Sequence, residues 1–140
     1  MDLADAIAYA QPRHHGVLVT LKRDGRPQLS NISYAMGDDG TVRISVTDSR
    51  AKTANLRRDP RASLYVPGES FWDYLVLEGP AQVSAVAGAP EDPVVDELVE
   101  VYRAIAGEHE NWAEYRQAMV DDGRLVITVQ PVHAYGMVRS

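Results

Sequence analysis

The sequence predicts a mainly β fold with helices, an α+β architecture in which six or seven antiparallel strands close into a small barrel. Three observations carry that expectation. Short β-rich runs recur at even spacing, with tight turns at Asp24-Gly25 and Gly37–Gly40 between the first of them. A helical segment breaks the β pattern near residue 50, and a helical hairpin breaks it again after residue 90. Strands return at the end of the chain, so the helices are insertions in a sheet that must cover one core.

Taken in order, Asp2–Gln11 places Leu3, Ala6, Ile7 and Ala10 at helical spacing and reads as a short amphipathic helix. Gly16–Lys22 and Pro27–Ala35 flank Asp24-Gly25, a hairpin signal because both turn positions favour positive φ. Thr41–Thr47 is rich in β-branched residues. Asp48 or Ser49 is the expected cap of a helix over Ala51–Arg58, which Pro60 stops. Ala62–Val66 is a further strand, Pro67–Ser70 a turn, and Trp72–Ala85 a long strand bent near Gly79-Pro80. Asp92 with Pro93 opens a helix that Gly107 ends, and Asn111 with Glu114 opens another running to about Asp121. Arg124–Gln130 and Val132–Met137 read as a β pair around Pro131. There are no repeats or long linkers, so residues 1–140 are expected to form one domain.

Composition narrows the function classes. The chain has 45% hydrophobic and 24% charged residues and no cysteine, which excludes disulfides, thiolate catalysis and cysteine-held metals. Its net charge is -6. Within it, Ser49–Ser63 carries five basic residues and one acid, leaving the remainder at -10. A duplex binder carries a broad basic footprint, so nucleic acid is not an expected partner. No run approaches a membrane span, and the N-terminus lacks the pattern of a secretory signal, so a cytoplasmic protein is expected.

The basic stretch is the first candidate site. A helix start presents free N–H groups and partial positive charge, and this one adds Arg50, Lys52 and the Thr53 hydroxyl, a phosphate-binding combination. The plainer reading is a solvated helix face, which suits Arg57, Arg58 and Arg61. The second candidate is the strand RPQLSNISYAM. Gln28, Ser30, Ile32 and Tyr34 share one face, Leu29, Asn31 and Ser33 the other, and neither is cleanly apolar. It reads either as an edge strand facing water or as one that contacts a flat ligand. Trp72, with Phe71 and Tyr74, reads as core or interface packing, or as a wall that stacks on a ligand. His14, His15, His109 and His133 lack metal-site spacing, and no metal is expected. Nucleophile elbow, Rossmann and P-loop patterns are missing, and no paired carboxylates stand ready as acid and base. A phosphate site without side-chain chemistry of its own points to a cofactor that carries the reaction.

The segments GVLVTLKRDGRPQLSNISY, SRAKTANLRRDPRASLYV and AGEHENWAEYRQAMV closely resemble the flavin/deazaflavin split β-barrel superfamily. Within it they resemble the actinobacterial branch that uses coenzyme F420, often labelled pyridoxamine-phosphate-oxidase-like. The resemblance covers nearly the whole chain. It implies a homodimer of six-stranded antiparallel split β-barrels with cofactor sites at the subunit interface. It implies that Gln28, Leu29, Ser30 and Asn31 lie along the deazaflavin ring. Arg50, Ala51, Lys52 and Thr53 would hold the cofactor phosphate, supported by Asn55. Arg57 and Arg58 are candidates for steering the oligoglutamate tail, and Trp72 and His133 for approaching the site from the other subunit. FMN is the alternative cofactor. The implied activity is F420H2-dependent reduction of an activated double bond in a small organic substrate, with a non-catalytic cofactor carrier as the other class. Pyridoxamine-phosphate oxidases proper carry a C-terminal arginine motif, of which only Arg139 is present, so that oxidase activity is not expected.

Overall fold

A computed structural model describes residues 1–139. In chain order the elements are α1 Leu3–Ala10, β1 His15–Leu21, β2 Pro27–Ser33, β3 Ala35–Met36, β4 Val42–Thr47 and α2 Ala51–Arg58. They continue with β5 Arg61–Pro67, β6 Tyr74–Val83, α3 Pro93–Ala106, α4 Trp112–Asp121, β7 Arg124–Val129 and β8 His133–Met137. All pairings are antiparallel, along the path β2-β1-β5-β6-β7-β4-β3, with β8 added to β6. None of the described helices is long and apolar enough to cross a membrane.

Two corners curl this sheet around its core. The first is in β6, which pairs with β5 over Tyr74–Pro80. On its other side it pairs with β8 over Tyr74–Glu78 and then with β7 over Ala81–Val83. The exchange of neighbours falls at Gly79-Pro80, where the Gln130 carbonyl comes so close that a Cβ on Gly79 would lie 1.9 Å from its oxygen. Only glycine admits that approach. The second corner is Tyr34, the single residue between β2 and β3. The two ends of the sheet path are therefore one continuous stretch of chain. Tyr34 is fully buried and pinned there: its N–H donates to the His14 carbonyl (2.8 Å) and its hydroxyl to the Ala10 carbonyl (2.6 Å). Burial pushes its phenol pKa up.

Alternation along each strand sends Leu18 of β1, Ile44 of β4, Leu64 of β5, Leu75 and Leu77 of β6 and Ile127 of β7 into this core, together with Ala6 and Ala10 of α1. Each large side chain so buried contributes about 1.5–3 kcal/mol. Val126, on the other face of β7, packs instead with Val94, Val95 and Leu98 of α3 and Met119 of α4. That second cluster holds the helical hairpin against the sheet.

Several expectations need correction. The described residues hold eight strands, not six: β3 is a two-residue continuation of β2 beyond the Tyr34 corner, and β8 is an added strand on β6. The last two strands do not pair with each other. Beyond the Pro80–Gln130 contact the chain turns across β6, with the Val132 N–H donating to the Glu78 carbonyl, and both strands pair with β6. α2 spans Ala51–Arg58 as expected, yet its N-cap is Arg50 and no side chain caps it, because Asp48 is engaged with Arg57 at 2.7 Å. The long strand begins at Tyr74, leaving Trp72 in the preceding turn. At the Asp24-Gly25 turn only Gly25 takes positive φ, 87°, and Asp24 does not. Pro93 opens α3, Gly107 ends it at φ 84°, and the Asn111 side chain accepts from the Glu114 N–H to cap α4.

Candidate functional site

β4 ends at Thr47, and one turn later α2 begins with the Ala51 and Lys52 amides unclaimed among the described residues: no side chain caps them, and only the Thr53 and Ala54 N–H groups return to the Arg50 carbonyl. Beside this helix start is a cavity of about 490 Å³, lined by Asn31, Ser33, Ser45, Thr47, Arg50, Lys52 and Arg124, with Val101 and Ile105 of α3 as its apolar wall.

Three cations thus face one space. Among the described residues Arg50 and Lys52 have no ion pair or side-chain hydrogen bond. Arg124 is nearly as bare. Its Nε is buried without a hydrogen-bond partner, the Asp122 carboxylate stands 4.0 Å off, and Nη1 reaches Ser45 only at 3.5 Å. Burial, then the positive charges of Arg50 and Arg124, hold the Lys52 pKa below its ordinary value. Uncompensated like charges in a half-buried space oppose folding unless an anion joins them. A phosphate suits this donor set: Arg forks bind its oxygens bidentately, Lys adds a point charge, and the Ser45 and Thr47 hydroxyls stand alongside.

The other basic residues of the stretch are occupied. Arg57 pairs with Asp48, and Arg61 pairs with Asp59, whose pKa the Arg61 contacts lower to about 2. Arg58 donates to the Leu21 carbonyl at 2.6 Å and to the Asn55 side-chain oxygen at 3.1 Å. Asn55 in turn donates to the Thr20 hydroxyl. Thr53 is fully buried, and its hydroxyl donates to the Thr47 carbonyl at 3.0 Å, tying the helix to the end of β4. Asn55 and Thr53 therefore brace the helix that presents Arg50, Ala51 and Lys52.

β2 borders the cavity through Asn31 and continues away from it through Ser30, Leu29 and Gln28. It is an edge, paired on one side only, with β1. Leu29 is 59% exposed on the same face as Asn31. Trp72 and His133 lie elsewhere in the single chain. Trp72, 70% exposed, meets the edge of Phe71 at 4.9 Å. His133 Nδ1 is 2.9 Å from the Glu78 carboxylate and lines a separate cavity of about 590 Å³ with Val19, Leu21 and Val132. Tyr34, which continues β2, is sealed in the core by its Ala10 bond. Among the described residues no three His, Asp or Glu side chains gather as a metal site.

Sequence reasoning missed Arg124 and Ser45. Their placement depends on the β4–β7 register, which sets Thr47 opposite Arg124 and Ser45 opposite Val126. Nothing local to Asp122-Gly123-Arg124 announces it.

Residues 4–137 match the family model described as pyridoxamine 5'-phosphate oxidase. The chain belongs to this family. Members of the pyridoxamine 5'-phosphate oxidase family include oxidoreductases, and solved structures share the fold at low identity. A conserved hypothetical protein from Mycobacterium tuberculosis superposes with a TM-score of 0.73 at 23% identity, covering 96% of this chain and 82% of that one. An F420 reductase superposes at 0.61 with 21% identity, covering 91% and 94%. The heme storage protein HutZ from Vibrio cholerae superposes at 0.68 with 13% identity, covering 96% and 93%. The antiparallel, curled sheet with inserted helices is consistent with the split barrel of this group.

Proposed function

We propose that this chain is a coenzyme F420-dependent oxidoreductase that reduces an activated double bond of a small organic substrate. The observation that carries the reading is the convergence of Arg50, Lys52 and Arg124 beside the edge strand β2, with Asp122 at 4.0 Å from Arg124 as their one carboxylate contact among the described residues. Arg50 and Arg124 bind the cofactor phosphate through their forks, and Lys52 supplies the third charge. Thr53 and Asn55 hold the helix start in place. Gln28, Leu29, Ser30 and Asn31 offer an exposed backbone edge along which a flat ring lies. When bound, the reduced deazaflavin supplies a hydride rather than single electrons, because carbon stands where a flavin has nitrogen.

The remaining parts of the reading concern assembly. The chain works as one cofactor-binding unit and pairs as a homodimer, an arrangement supported by the exposed Leu29, Phe71, Trp72, Val132 and Met137. In that dimer Trp72 and His133 approach the neighbouring site. Arg57 and Arg58 are held by Asp48 and by the Leu21 carbonyl, so their part in steering a polyanionic tail is secondary. A cytoplasmic setting belongs to the same proposal and agrees with the cysteine-free sequence.

FMN is the second reading, favoured by the charge of the cavity: three cations suit a monoester phosphate of about -1.5 to -2. Titration of the purified protein with F420 and with FMN, followed by fluorescence, separates the two. Tighter binding of F420 is expected, and a preference for FMN overturns the assignment. Oxidation of F420H2 by a panel of activated alkenes then distinguishes an enzyme from a carrier.

A further inference from the structure

We propose that the groove between β4 and α3 is a second ligand site, and that it selects amphoteric molecules, those with a carboxylate and a cationic group on one apolar body. It stands on the groove alone and does not depend on the oxidoreductase reading above.

The groove is a cavity of about 510 Å³ with Ala35, Met36, Val101 and Ala104 as apolar lining. It continues from the cationic cavity: Val101 lines both, and Arg43, Ser45 and Thr47 alternate along one face of β4. At ~3.3–3.4 Å per residue, Arg43 lies about 7 Å from Ser45 and about 13 Å from Thr47 along the strand. A ligand at Arg43 is therefore a neighbour of one held at Arg50, Lys52 and Arg124, without overlapping it.

The charges of the groove define what it takes. Among the described residues the Arg43 side chain makes no ion pair and no hydrogen bond, although the residue is half-buried. The nearby Asp39 carboxylate accepts from the Thr41 N–H and feels the Arg43 charge only from beyond ion-pair distance. Across the groove, α3 presents Asp96, Glu97 and Glu100. Asp96 is tied to Arg116 at 3.0 Å, and Glu100 to Arg103. That leaves Glu97, which has no side-chain partner among the described residues, facing the same cavity as Arg43. Two opposite charges that do not reach each other, over an apolar floor, are complementary to a molecule that bridges them. Arg43 takes its carboxylate bidentately, and Glu97 takes its cationic group. The carboxylates on α3 disfavour polyanions, which distinguishes this groove from the cationic cavity beside it.

Methyl NMR of Met36 and Val101 tests the proposal with 6-aminohexanoate, hexanoate and hexylamine as probes. We expect 6-aminohexanoate to shift these methyls and to bind about tenfold or more tightly than either single-ended probe. Arg43→Gln abolishes that advantage, Glu97→Gln reduces it, and Lys52→Ala leaves it unchanged. Equal affinities for the three probes, or binding sensitive to Lys52 and not to Arg43, overturn the proposal. F420 and FMN titrations run in parallel keep this site apart from the cofactor reading. Cofactor binding that is normal in Arg43→Gln, with probe binding lost, supports a separate site. Probe binding lost together with cofactor binding in that variant overturns it.

Discussion

Arg124 gives the sharpest test of the anion site, because one substitution is expected to move stability and affinity in opposite directions. In Arg124→Met the side chain keeps its stem as far as the Nε position and loses the charged guanidinium. Without an anion, the native Arg124 holds a buried Nε with no hydrogen-bond partner and faces two other cations. Removing an unsatisfied buried donor recovers part of a penalty of about 1–3 kcal/mol, against which the loose 3.5 Å contacts to Ser45 count for little. A net gain of about 1 kcal/mol corresponds to a melting temperature higher by about 3 °C at this chain length. With a phosphate bound, the same residue makes a charge-assisted contact worth about 1–3 kcal/mol, so the variant binds roughly 5- to 150-fold more weakly. Thermal melts with and without F420, FMN or inorganic phosphate read the first effect, and calorimetric titration reads the second. A variant that melts lower than wild type and binds these anions equally well would make Arg124 a structural residue and refute the reasoning.

Lys52→Ala is expected to weaken phosphate and cofactor binding by about 1–3 kcal/mol in a titration, with unchanged affinity placing the anion elsewhere. The Lys52 pKa also predicts a pH effect. Its folded value lies below the unfolded one, so the charged form costs stability at neutral pH, and the cost fades as pH rises through the lowered value toward 10.5. Melts from neutral pH to pH 10 should show wild type gaining on Lys52→Met, and the opposite slope would contradict the assignment. Gly79→Ala sets a Cβ against the Gln130 carbonyl, where backbone meets backbone, and should cost upwards of about 4 kcal/mol; a wild-type melt by circular dichroism would remove the corner from its place in the fold. Arg57→Ala, which breaks only an exposed pair with Asp48, should change inorganic phosphate affinity by no more than about twofold in the same titration.

Local signals were legible wherever the chain decides its own conformation. Pro60 bounds α2, Pro93 and Gly107 bound α3, and Asn111 caps α4, because each acts within one turn of backbone. The bend at Gly79-Pro80 was legible for the same reason. Its purpose was not, since it depends on Gln130 arriving from β7. The partner of the last strand was hidden likewise: the chain around Pro131 suggested a pair, while the exposed side of β6 offered a longer one. At the site, Arg50 and Lys52 could be read from the helix start they occupy. Thr53 looks the same in sequence whether its hydroxyl meets a phosphate or, as in the fold, the Thr47 carbonyl. Arg124 could be read only with the β4–β7 register in hand.

That contrast bears on why the basic stretch is divided as it is. Four of its neighbours in space, Asp48, Asp59, the Leu21 carbonyl and Asn55, satisfy Arg57, Arg58 and Arg61. Asp48 does so in place of capping α2, the task its position suggested. One carboxylate therefore neutralises Arg57 and leaves the helix start open toward the cavity. Arg50 and Lys52 are then joined by Arg124 from a strand distant in sequence, with no acid among the described residues within ion-pair reach except Asp122 at its limit. A fold that satisfies the other basic residues of this stretch and leaves the unpaired ones at one uncapped helix start departs from local stability rules there. Such departures are expected at functional sites, where the compensating group comes from outside the chain.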